Sequence, residues 1–202
     1  MFYLGLDLGK LRDFAALALI ERKEQPGDGR ICQVRYLERA PLGTPYTKVV
    51  ERVAELTRHR ELQGQCYLTA DATCLGEPVM EMLRAAKLGS LRGVTAVSIT
   101  SGEQTRQTSA GFGSGESWNV PRADLLSGLQ LLLEKSELKI AKSLGEAGVL
   151  VRELVGMRTG PGGVSDRGEH DDLALAVALA CWEAGRREKK GTVGMVGTRR
   201  LF

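Results

Sequence analysis

The sequence predicts an α/β protein with a central mixed β-sheet, in which the first three strands are antiparallel and α-helices flank the sheet. Three observations support this class: three β-rich runs come first, two strand-like runs then alternate with helical ones, and the last third is mainly helical. The chain has 202 residues, 43% hydrophobic and 26% charged, which is enough for one domain with a real core. We expect that domain to span residues 1–186, followed by a basic, flexible tail at 187–202.

The first half of the chain predicts a meander followed by alternating helices and strands. Turn residues at 25–29 separate the second and third strands, and Thr44 precedes Pro45 as an N-cap precedes a proline at the first helical position. The predicted elements are strands at 2–9, 14–22 and 31–38, a helix from Pro45 to about 60, a strand at 66–71, a helix from Glu77-Pro78 toward Gly89, and a strand at 94–99.

The second half predicts helices separated by polar loops. Residues 101–118 are rich in Gly, Ser, Thr and Gln, which is typical of a long mobile loop, and residues 160–168 form a second loop. A helix follows Pro121, and residues 138–140 form a short extended segment. The next helix begins after a capping box at 143–146, and its predicted apolar face is Ala147, Leu150, Val151, Leu154 and Val155. The last helix, at about 170–186, is apolar nearly all round and is therefore predicted to be buried.

Composition excludes several classes of protein. The four cysteines are isolated, so neither a zinc site nor a disulfide framework is indicated. The formal charge of +3 permits a nucleic-acid partner without requiring one. We expect a soluble intracellular protein, because no signal-peptide pattern is present and the longest apolar run, 173–182, is too short to cross a bilayer.

Four acidic residues lie at three distant points of the chain where a carboxylate is costly. Asp7 lies in an apolar strand, Asp71 ends another strand, and Asp171 and Asp172 open the apolar helix. A carboxylate beside a hydrophobic core needs solvent, a partner or a bound cation. The carboxyl ends of strands in open α/β sheets collect ligands, and the first turn of a helix favours anions. These positions predict one site built from all three segments.

The pattern of the first strand supports this site. Alternation along residues 2–9 places Asp7 on the same face as Gly5 and Gly9. We expect these small neighbours to leave room for an ion and for a substrate backbone.

Aspartates in this arrangement suit Mg²⁺ or Mn²⁺, because hard divalent cations prefer oxygen ligands. Two ions about 3.5–4 Å apart would serve phosphodiester hydrolysis, one activating the attacking water and the other stabilising the leaving oxygen. Simpler roles stay open: Asp7 as the cap of a turn, Asp71 in an Asx turn, and one of Asp171 and Asp172 as a helix cap. Successive helical residues diverge by about 100°, so one of that pair is the principal ligand, and the sequence leaves open which.

Other kinds of site receive less support. The only histidines are His59 and His170, so no His-based triad is indicated, and for His170 substrate contact, proton transfer and capping all stay open. No GxxxxGK[ST] phosphate loop occurs, and residues 5–10 do not form a dinucleotide fingerprint.

Four segments occur in a characteristic order and spacing: GLDLGKLRDFAALALIER, LTADATCLGEPVMEMLRAAKL, WNVPRADLLSGLQLLLEKSELKIA and GEHDDLALAVALACW. Together they resemble the nuclease domain of bacteriophage terminase large subunits, over residues 2–184. The most specific parts are Asp71-Ala72-Thr73 with the following Gly76-Glu77-Pro78, and Glu169-His170-Asp171-Asp172. The resemblance implies an RNase H-like fold with a two-metal site, binding Mg²⁺ or Mn²⁺, that cuts concatemeric viral DNA during packaging. It assigns the metal-binding aspartates to Asp7, Asp71, Asp171 and Asp172.

The resemblance also implies partners. The substrate would be double-stranded DNA in the cytoplasm of a bacterial host. A complete large subunit carries a packaging ATPase, whose phosphate loop this sequence lacks. Three origins therefore stay open: an excised domain, a separate reading frame whose motor is another polypeptide, or a prophage remnant. The candidate protein partners are a separate packaging ATPase, the small terminase subunit and the portal. The positions implied to contact DNA are Lys10, Arg12, Arg106, Arg122, Arg167 and His170, each of which could equally be an ordinary surface residue.

Three other functions stay open on the sequence. A Holliday-junction resolvase-like nuclease would share the fold and chemistry but select branched DNA. An actin-like or sugar-kinase-like ATP-binding domain would use Gly5-Leu6-Asp7-Leu8-Gly9 as a phosphate-binding turn. An inactive DNA-binding or assembly module would not require the acids, and their presence at all three points argues against it.

Overall fold

The computed structural model describes residues 1–9, 14–25, 30–73, 76–108, 115–156 and 171–193. The predicted loop at 160–168 and most of the turn at 25–29 lie outside these ranges. The elements are β1 (Phe2–Asp7), β2 (Ala16–Glu24), β3 (Arg30–Arg39), α1 (Tyr46–Thr57), a 3₁₀ turn (Arg60–Leu62), β4 (Cys66–Asp71), α2 (Gly76–Ala85), β5 (Gly93–Thr100), β6 (Arg106–Thr108), β7 (Glu116–Pro121), α3 (Arg122–Glu134), β8 (Leu138–Ile140), α4 (Ala147–Gly156) and α5 (Asp172–Val193).

The eight described strands form one mixed sheet in the order β6-β7-β5-β4-β1-β2-β3-β8. Strands β1, β2 and β3 form the predicted antiparallel meander. Strands β1, β4, β5 and β7 are mutually parallel, β8 is parallel to β3, and β6 is antiparallel to β7. The predicted fold class is therefore confirmed. Strand β1 lies at the centre of the sheet, and its carboxyl end lies beside the carboxyl end of β4.

Both faces of the sheet are covered by helices. One core cluster joins α1 and α2 to the face that carries Leu4 and Leu6 of β1. The other joins α3, α4 and α5 to the face that carries Tyr3. Because β1 is buried on both sides, the carboxylate at its end lies close to the core.

Helix α5 lies against β1 at very short range. A Cβ atom added to Gly5 would lie only 1.9 Å from the carbonyl oxygen of Ala176. Small residues on α5, including Ala174, Ala176 and Ala180, are almost completely buried and permit this approach. The expectation that Gly5 leaves room for an ion is wrong, because the helix backbone fills that space.

The last helix continues beyond its predicted end at 186. Helix α5 runs to Val193, so residues 187–193 of the predicted tail are helical. The extension is held to the sheet by side chains: Arg187 pairs with Glu116 of β7 at 3.1 Å, and Glu188 pairs with Arg22 of β2 at 3.0 Å. Residues 194–202 lie outside the described residues, and their assignment as a flexible tail stays a prediction.

Two other expectations differ from the structure. The predicted loop at 101–118 contains β6 and the first part of β7. Its polar residues concealed the strands, because β6 is an edge strand and the buried positions of β7 include Ser117.

Helix α4 buries Ala147, Leu150 and Glu153, whereas Val151 and Val155 of the predicted apolar face are 47% and 76% exposed.

In the part of the chain that the structure describes, no helix is long and apolar enough to cross a membrane.

Candidate metal centre

Two of the predicted aspartates end neighbouring parallel strands. Leu6 of β1 pairs with Ala70 of β4, so Asp7 and Asp71, which follow them, come to the same edge of the sheet. Asp7 is only 5% exposed, whereas Asp71 is half-buried. The segment after Asp7 is tied to helix α1, because the hydroxyl of Tyr46 donates to the carbonyl of Gly9 at 3.0 Å.

Asp71 also shapes the turn that follows it. Its Oδ1 accepts hydrogen bonds from the backbone N–H of Thr73 at 2.9 Å and from the Thr73 hydroxyl. The same hydroxyl oxygen accepts the backbone N–H of Ile99 in β5 at 2.8 Å. The open alternative of an Asx turn is therefore present, and it fixes the orientation of the carboxylate instead of excluding a second role.

The other two aspartates lie at the start of α5. The carbonyl of Asp171 accepts the N–H of Leu175 at 2.9 Å, which places Asp171 at the N-cap and Asp172 at the first helical position. Asp172 is 5% exposed, and its Oδ2 lies 3.7 Å from Nη2 of Arg39. The Asp171 side chain is 30% exposed and forms an ion pair with Arg122, the first residue of α3.

The charges of the other three aspartates all affect the pKa of Asp7. Burial raises the pKa of the Asp7 carboxyl well above its ordinary value, and the negative charges of Asp71, Asp172 and Asp171 raise it further, in that order. The positive charge of Arg122 acts in the opposite direction but is the weakest of these influences on the pKa. The three predicted segments therefore lie within electrostatic reach of one another, around a carboxylate that is costly to ionise.

Two charged neighbours of the acids, Arg39 and Glu153, were missed on the sequence. Glu153 accepts the backbone N–H of Ala174 at 2.9 Å and pairs with Arg39. Burial raises the pKa of Glu153 to about 7, although the Ala174 N–H and Arg39 both lower it. The sequence did contain a signal for Glu153, because it is a charged residue three positions after Leu150, on a side of the helix that is otherwise apolar.

The donor set fits a hard divalent cation. Four carboxylates, of which Asp7 and Asp172 are buried, would provide oxygen ligands, and their negative charges would be balanced by a bound cation. Among the described residues, no three acidic, histidine or cysteine side chains already form a complete ligand set. Asp171 is instead paired with Arg122, and Asp172 lies near Arg39.

The predicted DNA contacts are only partly visible. Arg122 pairs with Asp171 beside the acids, and Arg106 is exposed on edge strand β6, where its Nη2 donates to Gln104 at 3.1 Å. Arg106 pairs across the strands with Asn119, three residues before Arg122, so both arginines lie at the same end of the sheet as the acids. The remaining predicted contacts, Lys10, Arg12, Arg167 and His170, lie outside the described residues.

Comparison with known proteins gives matches in structure. No protein-family model matches the chain, and no curated protein has a significant sequence match. The nuclease domain of human cytomegalovirus terminase, soaked with Mn, aligns with a TM-score of 0.57 at 12% identity, over 91% of this chain and 82% of that chain. The Mn-bound nuclease domain of the large terminase g2p from bacteriophage SPP1 aligns with a TM-score of 0.53 at 12% identity, over 91% and 86% of the two chains.

A third match covers only part of a longer protein. The large terminase of bacteriophage HK97 aligns with a TM-score of 0.54 at 15% identity, over 89% of this chain but only 38% of that chain. The chain therefore has the RNase H-like fold of terminase nuclease domains.

Proposed function

We propose that the protein is a metal-dependent DNA endonuclease that hydrolyses phosphodiester bonds at the edge of the sheet where β1 and β4 end. The observation that carries the proposal is the convergence of Asp71, Asp171 and Asp172 on the buried Asp7. A carboxylate so placed is unfavourable in a purely structural role and favourable as a ligand of Mg²⁺ or Mn²⁺. The fold shared with terminase nuclease domains supports the same conclusion.

The residues have separable roles in this proposal. Bound divalent ions would supply Lewis acidity and lower the pKa of a bound water. Asp7 provides a buried, pre-positioned carboxylate, and the Thr73 turn fixes the carboxylate of Asp71. Basic side chains near the acids would contact the phosphates of the DNA backbone, and such contacts do not depend on the base sequence. The residues proposed for this role are Arg106, Arg122, Lys10, Arg12, Arg167 and His170.

The biological role follows from the same likeness. Three of the structures with this fold are terminases or their nuclease domains, so we infer cleavage of double-stranded concatemeric DNA during viral genome packaging. A packaging ATPase, a small terminase subunit and a portal belong to this proposal as candidate partners. The site of action would be the cytoplasm of the bacterial host.

The two adjacent acids should contribute unequally. Asp172 is buried, and its charge raises the pKa of Asp7 more than that of Asp171 does. Asp171 is more exposed and already paired with Arg122. We expect Asp172→Asn to lower cleavage more than Asp171→Asn, by about 10-fold or more. Initial rates of plasmid nicking by the two variants, at equal protein concentration, measure the difference, and equal rates would contradict this assignment.

Cleavage of supercoiled plasmid DNA tests the proposed function. We expect nicked and linear products with Mn²⁺ or Mg²⁺, no product in EDTA, and rates that fall steeply with added salt because binding depends on phosphate contacts. Parallel reactions contain linear duplex DNA and a four-way junction. Selective cutting of the junction would favour the resolvase-like alternative. Absence of metal-dependent cleavage on all three substrates, especially with measurable ATP binding, would overturn the proposal.

A further inference from the structure

Helix α5 receives its cap from another helix. The N–H groups of the first helical residues have no partner inside their own helix. At Ala174, the third residue of α5, this N–H is bound at 2.9 Å by Oε2 of Glu153 from α4. The Glu153 side chain is only 4% exposed, so this is a buried carboxylate at the positive end of a helix. The contact fixes the position of the turn that carries Asp171 and Asp172.

Arg39 links this cap to the acidic site. Its Nη2 binds Oε1 of Glu153 and also lies 3.7 Å from Oδ2 of Asp172. Its guanidinium stacks over the ring of Phe14, with Cζ 4.7 Å from the ring centroid, which limits its freedom to move. One arginine nitrogen therefore faces both the capping carboxylate and a proposed metal ligand.

The sheet places Arg39 at this point. Arg39 is the last residue of β3 and pairs with Ala16 of β2, which in turn pairs with Asp7 of β1. These residues form one row across three strands at the site edge. Arg39 therefore lies in the same row of the sheet as Asp7, and its side chain extends to within 3.7 Å of Asp172.

A contribution to folding stability does not by itself explain the buried ion pair of Glu153 and Arg39. Burying an ion pair costs desolvation energy, and well-packed apolar residues are often as stabilising or more so. A buried ion pair does impose a defined geometry on the groups that it contacts, and the partners of metal ligands commonly set metal affinity in this way. Glu153 also binds the Arg39 guanidinium, whose other carboxylate partner among the described ion pairs is Asp172.

We propose that Glu153 and Arg39 are positioning residues of the metal centre, which hold the start of α5 and set the position of the Asp172 carboxylate as a ligand of a divalent cation. This inference rests on the proposed function. It predicts that removing the charge of Glu153 weakens cation binding even when the helix cap is retained. In Glu153→Gln the amide oxygen still accepts the Ala174 N–H, but Arg39 loses one of its two charged partners and is drawn toward the other, Asp172.

Binding of Mn²⁺ alone, in the absence of DNA, tests the inference. Free Mn²⁺ is titrated by electron paramagnetic resonance at pH 8, above the raised pKa of Glu153, with wild-type protein and with Glu153→Gln and Arg39→Lys. We expect each variant to bind Mn²⁺ about 10-fold more weakly. This is the lower end of the loss in affinity that commonly follows when a partner of a metal ligand is removed. Glu51→Gln is the control, because Glu51 is a 60% exposed residue of α1 paired only with Lys48 among the contacts described, and it should bind as wild type does.

The outcomes separate this inference from the proposed function. Thermal unfolding in EDTA establishes that each variant is folded, and Arg39→Lys provides a second route if Glu153→Gln is unstable. Wild-type affinity in both folded variants would overturn the positioning role and leave the nuclease proposal standing. Failure of the wild-type protein itself to bind Mn²⁺ would overturn the proposed function and, with it, this inference.

Discussion

Replacement of Asp7 by asparagine is expected to abolish metal-dependent DNA cleavage and, at the same time, to stabilise the folded protein in the absence of metal. Losing an outer partner of a metal ligand commonly costs 10- to 100-fold in affinity or activity, so losing a buried ligand should cost more than about 100-fold. The rate of plasmid nicking in Mn²⁺ measures this loss.

The gain in stability follows from the raised pKa of Asp7. A carboxyl whose pKa is higher in the folded state favours the unfolded state once it ionises, so its contribution to stability decreases as pH rises above the ordinary value of 3.8. Asparagine carries no charge and avoids this cost. The free energy of unfolding of Asp7→Asn in EDTA should therefore exceed that of the wild type at pH 8, and the difference should shrink as pH approaches 4.

The matched control is Asp124→Asn, which removes an exposed carboxylate from the first turn of α3. It should cleave DNA at the wild-type rate and show no gain in stability that increases with pH. The interpretation of Asp7 would be contradicted by full cleavage in Asp7→Asn, or by a loss of stability of the same size at pH 5 and pH 8.

Much of the fold could be predicted because the decisive signals are local. The β-rich runs at 2–9, 14–22 and 31–38 and the turn residues between strands define the meander, and the apolar run after Asp172 defines the last helix. The acidic candidates could be found for the same reason: a charge at the end of an apolar strand is conspicuous without knowledge of its neighbours. Whether Asp7, Asp71, Asp171 and Asp172 bind metal stays a prediction.

The features that could not be predicted depend on contacts between distant residues. Val151 and Val155 fit the apolar side of a helix by spacing, yet they are exposed, because the helix turns Glu153 inward to bind Arg39 and the start of α5. Nothing near Arg39 in the sequence indicates that its partner lies 114 residues away. The role of Gly5 was misread for a related reason, since a glycine beside a candidate ligand can serve an ion or a helix equally well.

Replacement of Gly5 by alanine is the structural prediction with the largest expected effect. The new Cβ would lie 1.9 Å from the carbonyl oxygen of Ala176 and 3.1 Å from the backbone nitrogen of Ala180. Both atoms belong to the backbone of α5, so a change of side-chain rotamer cannot relieve the clash. Either β1 or the whole helix must move, and we expect a loss of at least about 4 kcal/mol in the free energy of unfolding, measured with urea in EDTA.

The consequence for the site separates this clash from ordinary destabilisation. Ala176 lies one helical turn after Asp172, so a helix displaced from β1 also moves Asp172 away from Asp7, and any folded fraction should bind Mn²⁺ more weakly. Gly128→Ala is the matched control: its Cβ would meet nothing within 4 Å in the middle of α3, and higher helix propensity should stabilise the protein by about 0.5–1 kcal/mol. If Gly5→Ala were as stable as Gly128→Ala, α5 could not lie against β1 at this distance, and the close approach that joins the end of β1 to the start of α5 would be refuted.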